Sequence, residues 1–276
     1  MNPSFKKELI MEVFSTQLPR LVEEIERKVE GANQPKASNE DGWIESPAPT
    51  LGKKGGMLDD EEINRITQLL LSTEDGAFEL AITVLKTHGV SINYIVLDLI
   101  PTIARRLGKQ WEDDTLSFAE VSIGVNRLER VIHKLDYLFQ VTQLEKRGDH
   151  SILISVFPES QHSLGTLILS NYFIHSGWRV YRPENTSLKS ISRELESNKH
   201  DAIAISISCD EQLERLPNTI SVLREKSKNP KIIVLIGGPL YNKAPAKFDH
   251  IQADIKAFTP EECVERLNLV LSQIQK

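Results

Sequence analysis

The stretch from Ser151 to Gly165, SILISVFPESQHSLG, constrains this chain more than any other. Apolar residues dominate from Ile152 to Phe157 and stop at Pro158, without the polar alternation of a half-solvated strand. Strands covered on both faces read this way, and they belong to parallel sheets. A polar loop, Glu159-Ser160-Gln161-His162, follows, and from about Leu164 an amphipathic run predicts a helix. A parallel partner then requires a crossover, which the rest of the chain supplies repeatedly. The expected strands are Ser151–Phe157, Trp178–Tyr181, Ala202–Ser208, Lys231–Ile236 and Ile255–Phe258. Helical segments over Leu188–Ser197, Gln212–Ser227 and Ala244–Phe248 fall between them. The last helix opens with Thr259 as N-cap, Pro260 at N1 and Glu262 at N3. This alternation predicts a doubly wound parallel sheet in flavodoxin-like order over residues 150–276.

Upstream, the hydrophobic period is helical. Residues 59–146 carry four helical patterns with short connections, which predict a four-helix bundle. The first opens on Asp59-Asp60-Glu61-Glu62, acidic as a helix N-terminus favours. The second runs from about Glu74 to His88 and stops at Gly89, a typical residue beyond a helix end. The third spans Ser91 to about Gly108, with a kink expected at Pro101. The fourth starts at Ser117, which forms an S-x-x-E capping box with Glu120. Between the third and fourth lies a loop containing Trp111, at one end of the bundle. Residues 1–58 read as a helical segment over 4–30 and a linker over Ala32–Gly56 that carries an isolated Trp43-Ile44 pair. The fold class is thus α/β with an all-α domain ahead of it.

Composition matters here mainly for what it excludes. A net charge of −6 gives no electrostatic reason for a large nucleic-acid footprint. The two cysteines, Cys209 and Cys263, form no C-x-x-C pair, which fits a reducing cytoplasm and neither a disulfide framework nor a cysteine zinc site. Charges interrupt the first residues before a signal-peptide core develops, and no apolar run approaches the roughly 20 residues of a membrane helix. A cytoplasmic protein without a membrane partner is the expectation. Walker, G-x-G-x-x-G, G-x-S-x-G and H-E-x-x-H motifs are absent from the sequence, and His88, His133, His150, His175, His200 and His250 have no ligand-like spacing.

Open α/β sheets bind ligands at the carboxyl ends of their strands. In this chain those ends bring together the loop Ser160-Gln161-His162-Ser163-Leu164-Gly165, then Ser206 with Ser208, then Gly237-Gly238-Pro239. His162 is the strongly coordinating side chain of the first loop, and neutral imidazole is the commonest protein ligand for a metal. Paired glycines after a strand either let a large group lie against the backbone or make a plain tight turn. Trp111 either plugs the end of the bundle or presents a flat ring to a ligand.

These positions resemble the B12-binding fold of corrinoid proteins, whose loop D-x-H-x-x-G is followed by S-x-L and G-G at later strand ends. Here Ser160-Gln-His162-Ser-Leu-Gly165, Ser206-Ile-Ser208 and Gly237-Gly238 stand at those places, and the stretch ADIKAFT from Ala253 resembles the closing segment. The resemblance implies His162 as the lower cobalt ligand, with the cofactor's nucleotide tail entering the sheet beside the glycines. In that fold the loop aspartate orients the histidine; Ser160 stands in its place here, and such outer partners typically matter 10–100-fold. A four-helix cap is what B12-dependent photoregulators and corrinoid methyl carriers carry. The photoregulators have W-x9-E-H there; Trp111 matches, while Val121 and Ser122 replace the Glu-His pair. That replacement favours aquo- or hydroxocobalamin over adenosylcobalamin. LGKQWEDDTLSFAEVSIGVNRLERV resembles instead the cap of AerR/PpaA-type antirepressors, regulators of photosynthesis genes, related to AppA-type heme-sensing domains.

Catalysis with a cofactor needs groups that position a substrate beside its reactive atom, and the sequence offers no candidate acid, base or clamp. The expected function is therefore a cobalamin-binding sensory or regulatory protein, responsive to light or redox state. It would act on a transcriptional regulator protein, a repressor, without binding DNA directly. Two alternatives use the same scaffold: a corrinoid methyl carrier for a methyltransferase, and a heme or bilin sensor.

Overall fold

The structure, a computed structural model, describes residues 58–74, 76–87, 89–142, 148–160 and 163–274, with side chains except at 137–142 and 274. The helix and linker expected within residues 1–57, together with Gln161 and His162, lie outside the described residues. The chain divides into two compact units, Met1–Leu135 and Asp136–Lys276.

In the first unit α1 spans Asp60–Leu71, α2 spans Ala77–Thr87, and α3 runs from Ile92 to Glu112 in three consecutive pieces. The fourth helix, α4, is Phe118–Thr142 and contains the boundary between the units. Asp59 caps α1 reciprocally: its carboxylate accepts from the Glu62 N–H at 2.9 Å, and Glu62 accepts from the Asp59 N–H at 2.5 Å. Gly89 does end α2, at φ 85°. Its N–H donates to Lys86 O and that of Val90 to Leu85 O, the paired bonds of a Schellman motif. Ser117 and Glu120 exchange capping bonds at 2.8 and 3.3 Å. The apolar faces close a core that includes Ile66, Leu70, Phe78, Leu85, Ile103 and Leu128. Arg127 is buried beside it and donates to Leu70 O at 2.5 Å and Ser72 O at 2.7 Å, capping the carbonyl end of α1.

Two features of α3 depart from the sequence reading. An α turn, Ile92–Tyr94, widens into a π turn over Ile95–Leu99, where the Ile100 N–H reaches back to Ile95 O, before α geometry resumes over Ile100–Glu112. Pro101 follows directly; it has no N–H to offer and its ring crowds the preceding turn, so the helix widens there. The helix also passes Gly108 and ends at Glu112, which puts Trp111 in its last turn and not in a loop. The stop comes from Asp114 at φ 54°, after which Thr115 and Leu116 donate back to Gln110 O.

The second unit is a five-stranded parallel sheet in the order β2-β1-β3-β4-β5. Its strands are β1 Ser151–Val156, β2 Arg179–Tyr181, β3 Ala202–Ser206, β4 Ile233–Gly237 and β5 Ile255–Lys256. The helices between them are α5 Leu164–His175, α6 Leu188–Ser197, α7 Asp210–Lys226 and α8 Pro239–Lys243, with a 3-10 turn Pro245–Phe248 and a final α9 Pro260–Ile274. Every strand residue of β1 is buried, as its unbroken apolar pattern requires. Leu153, Phe157, Ile203, Ile205, Val234 and Ile236 share one core with α6 and α7. The opposite face packs on α5, which is joined to β2's approach by Phe173 against Trp178 and, through Trp178 Nε1–H to Asn268 Oδ1 at 3.2 Å, to α9.

Candidate cofactor site

Strand register aligns the residues of interest. Val156 pairs with Ser206, and Ser206 pairs with Gly237, so β1, β3 and β4 end at one level. The Phe157 N–H donates to Ser206 O at 3.0 Å and the Ile207 N–H to Gly237 O at 2.9 Å, carrying the ladder one residue further. β1 leads into α5 on one face and β3 into α7 on the other. The sheet order therefore reverses between β1 and β3, and the crevice of an open α/β sheet opens at that point.

The loop leaving β1 is pinned at its start. Ser160 N–H donates to Phe157 O at 3.0 Å, and Glu159 N–H to Thr186 O at 2.8 Å, in the segment ahead of α6. Glu159 has φ 72°, left-handed backbone for a residue with a long side chain. Its carboxylate takes two long hydrogen bonds from Arg215 of α7, at 3.3 and 3.4 Å. The Arg215 guanidinium stands 5.4 Å from the Phe157 ring centroid. After the undescribed pair Gln161 and His162, Ser163 precedes α5, and its carbonyl accepts from Leu167 N–H and Thr166 Oγ1. Leu164 is half-buried, Gly165 exposed. A Cβ on Gly165 would meet nothing within 4 Å. Among the described residues no neighbour needs residue 165 to be glycine.

The glycines after β4 are different. A Cβ on Gly237 would stand 2.7 Å from Ala257 O, and one on Gly238, at φ 102°, would stand 2.6 Å from Ser206 Oγ and 2.7 Å from Ile207 N and O. The chain itself fills the space beside both. Pro239 then opens α8, and Leu240 N–H returns to Ile207 O at 3.1 Å. At the end of β3, Ser208 spends its N–H and its hydroxyl on Gln212 Oε1, at 2.7 and 3.1 Å. The sequence reading did not single out Gln212; its only signal was a polar side chain one helical turn after Ser208. Cys209 is partly buried and Cys263 buried; burial raises both thiols, Cys263 to about 12, so both are protonated at neutral pH.

In the helical unit, Trp111 is 53% exposed, and Phe118 and Ile123, which sequence reasoning passed over, are 76% and 50% exposed. Phe118 was visible as an apolar residue directly after the capping serine. The turn between Trp111 and Phe118 is fixed by Gln110 O, which accepts from Thr115 Oγ1 at 2.8 Å and Thr115 N–H at 2.9 Å. Val121 is half-buried and Ser122 exposed.

A parallel sheet in this order defines the second unit as a doubly wound domain, a fold whose ligands, where it has them, lie at the switch point. Within this unit, residues 150–267 match the family described as a B12 binding domain. The chain is 26% identical over 166 residues to a Rhodobacter capsulatus protein named "Uncharacterized 20.5 kDa protein in bchF-crtJ intergenic region", covering 60% of this chain and 86% of that one. The solved Methanosarcina barkeri monomethylamine corrinoid protein is similar in fold, with a TM-score of 0.60 at 13% identity, over 76% of this chain and 100% of that one. A cobalamin-binding protein from Desulfitobacterium hafniense DCB-2 aligns with a TM-score of 0.40 at 16% identity, over 75% and 97%. Among the described residues no helix is long and apolar enough to cross a membrane.

Proposed function

We propose that the protein is a cobalamin-dependent regulator of the antirepressor kind, without catalytic activity of its own, that acts on a transcriptional regulator protein. The match of residues 150–267 to the B12 binding domain carries the cofactor part of this reading. The relative from the bchF-crtJ intergenic region, together with the cap's resemblance to AerR/PpaA-type proteins, supports the regulatory part.

The residues present fit such a group. Gly165 leaves the backbone at the start of α5 bare at a place where no other described residue uses the space, so a macrocycle can approach there. His162 is the proposed metal ligand, with Ser160 standing where the partner of its other ring nitrogen would be. Gln161, Ser163 and Leu164 would border the ring, and Ser206, Ser208 and Gly237-Gly238-Pro239 would border its nucleotide tail. Trp111 is the proposed aromatic contact. Bound hydroxo- or aquocobalamin would supply a cobalt centre responsive to light or oxidation state. The chain's part is to hold that centre and to let its state bias two forms of the protein that a partner distinguishes.

Separate reconstitution of the purified protein with hydroxocobalamin, heme and biliverdin tests the reading. A corrin spectrum altered by binding, and restored to that of the free cofactor by His162→Ala, is the expected result. An unchanged spectrum with hydroxocobalamin, or wild-type behaviour of His162→Ala, overturns it. The fold shared with the monomethylamine corrinoid protein favours one rival, a methyl carrier, which predicts transfer of a methyl group to or from the bound cobalt.

A further inference from the structure

The turn after β1 is held from an element that is distant in sequence. Glu159 sits at φ 72°, which a Cβ disfavours, and its side chain makes no bond to its own turn of the kind that lets Asn or Asp rest there. Backbone of this sort persists where its surroundings over-determine it, and it gathers at functional sites. Three contacts do so here: Glu159 N–H to Thr186 O, Ser160 N–H to Phe157 O, and the Glu159 carboxylate on Arg215. Arg215 also lies against the fully buried Phe157 ring, so one guanidinium touches the residue that begins the turn and the residue that bends it. Arg215 belongs to α7, the helix that leaves β3 on the far side of the switch point. Its ion pair with Glu159 is more than half exposed at both ends, too open to add much to global stability.

We infer that Arg215 is a positioning residue: through Glu159 and Phe157 it sets the direction in which the chain leaves β1 toward the cofactor-holding loop, and so governs how firmly the cofactor is retained. This rests on the cobalamin reading above. It adds a residue with no place in the D-x-H-x-x-G pattern, and it gives Glu159 a role other than partner to the histidine, since its carboxylate is turned to Arg215.

The experiment compares wild type with Arg215→Met, which keeps the apolar stem, Glu159→Gln, and the double change. Amide hydrogen exchange at Glu159 and Ser160 is read on the cofactor-free protein, and the rate of cobalamin loss on the loaded protein. Arg215→Met should raise exchange at both amides and speed cobalamin loss by about 2–10-fold, the range of an exposed ion pair plus a cation–π contact. Tm should stay within about 2 °C of wild type. Glu159→Gln should move the same readouts in the same direction, and the double change should add little to Arg215→Met alone. Unchanged exchange or unchanged retention overturns the inference. Slower cobalamin loss in Arg215→Met also overturns it, because the pair would then be holding Glu159 away from the cofactor. If wild type takes up no cobalamin, the cobalamin reading fails on its own, and the exchange arm still decides whether Arg215 sets the turn.

Discussion

Gly165→Ala separates what the fold needs from what a ligand needs. Residue 165 is the second residue of α5, exposed, with open space where a Cβ would stand. Alanine is a better helix former than glycine by about 1 kcal/mol in a helix interior and also restricts the unfolded chain, so in this first turn the substitution should stabilise by about 0.5 kcal/mol. For a unit of this size that is a rise of about 1–2 °C in Tm. A macrocycle seated on the same backbone would meet the new methyl. Overpacking of that sort costs about 1–3 kcal/mol, a loss of about 5–150-fold in Kd. The assay is paired: thermal unfolding of the cofactor-free protein, and titration with hydroxocobalamin followed by absorbance. A variant that is at least as stable as wild type and binds far more weakly is expected. Wild-type affinity would show that the cofactor does not approach the start of α5, and a Tm several degrees lower would show that the fold does need this glycine.

Gly238→Ala should do the reverse. Its φ of 102° with ψ −179° is open to little but glycine, and the added carbon would collide with the backbone of Ile207, so urea unfolding should show a loss of about 2–5 kcal/mol without any cofactor present. Arg127→Met keeps the stem packed but strips Leu70 O and Ser72 O of their shared donor; it should cost the helical unit about 2–4 kcal/mol, read as a lower urea midpoint. His200 is buried with Nε2 3.1 Å from Glu194 Oε1, and burial holds its pKa below 6.5 even though Glu194 pulls the other way. Above that value the ring is neutral in both states and its contribution to stability is complete; as pH falls, the unfolded chain takes the proton first, and stability drops until the folded pKa is passed. The urea midpoint should therefore fall as pH is lowered through 6.5 and below, and His200→Gln should flatten that slope.

The sheet was legible because its evidence is periodic. Unbroken apolar runs, each followed by a helical pattern, leave few topologies that right-handed crossovers permit, and the observed order is the one expected. Caps were legible for a related reason: Ser117 with Glu120 and Thr259 with Glu262 are short-range chemistry, and the bonds are formed. The end of α3 was not. Gly108 looks like a helix stop, yet the helix passes it, since the stop depends on Asp114 adopting φ 54° and on Gln110 O collecting three donors. Aspartate tolerates that backbone, but Glu112, Asp113 and Asp114 follow one another and nothing local marks which of them turns. Glu159 escaped for the same reason, because left-handed backbone at a glutamate is imposed by Thr186 and Arg215, far along the chain.

The glycines show where a motif stops being informative until packing is known. In sequence, Gly165 and the pair Gly237-Gly238 carry equal weight as parts of one pattern. In the structure they separate. The pair is consumed by the chain's own closeness at Ala257 and Ile207, and would be required in a protein of this fold that bound nothing. Gly165 meets no such demand from the other described residues, and a helix start would sooner hold alanine. Gly108, inside α3, has the same open space and no left-handed φ, so freedom from packing makes Gly165 available to a ligand without by itself requiring one. What sets Gly165 apart from Gly108 is its place, at the carboxyl edge of β1, where open α/β sheets take their ligands and where the proposed cofactor would lie against it.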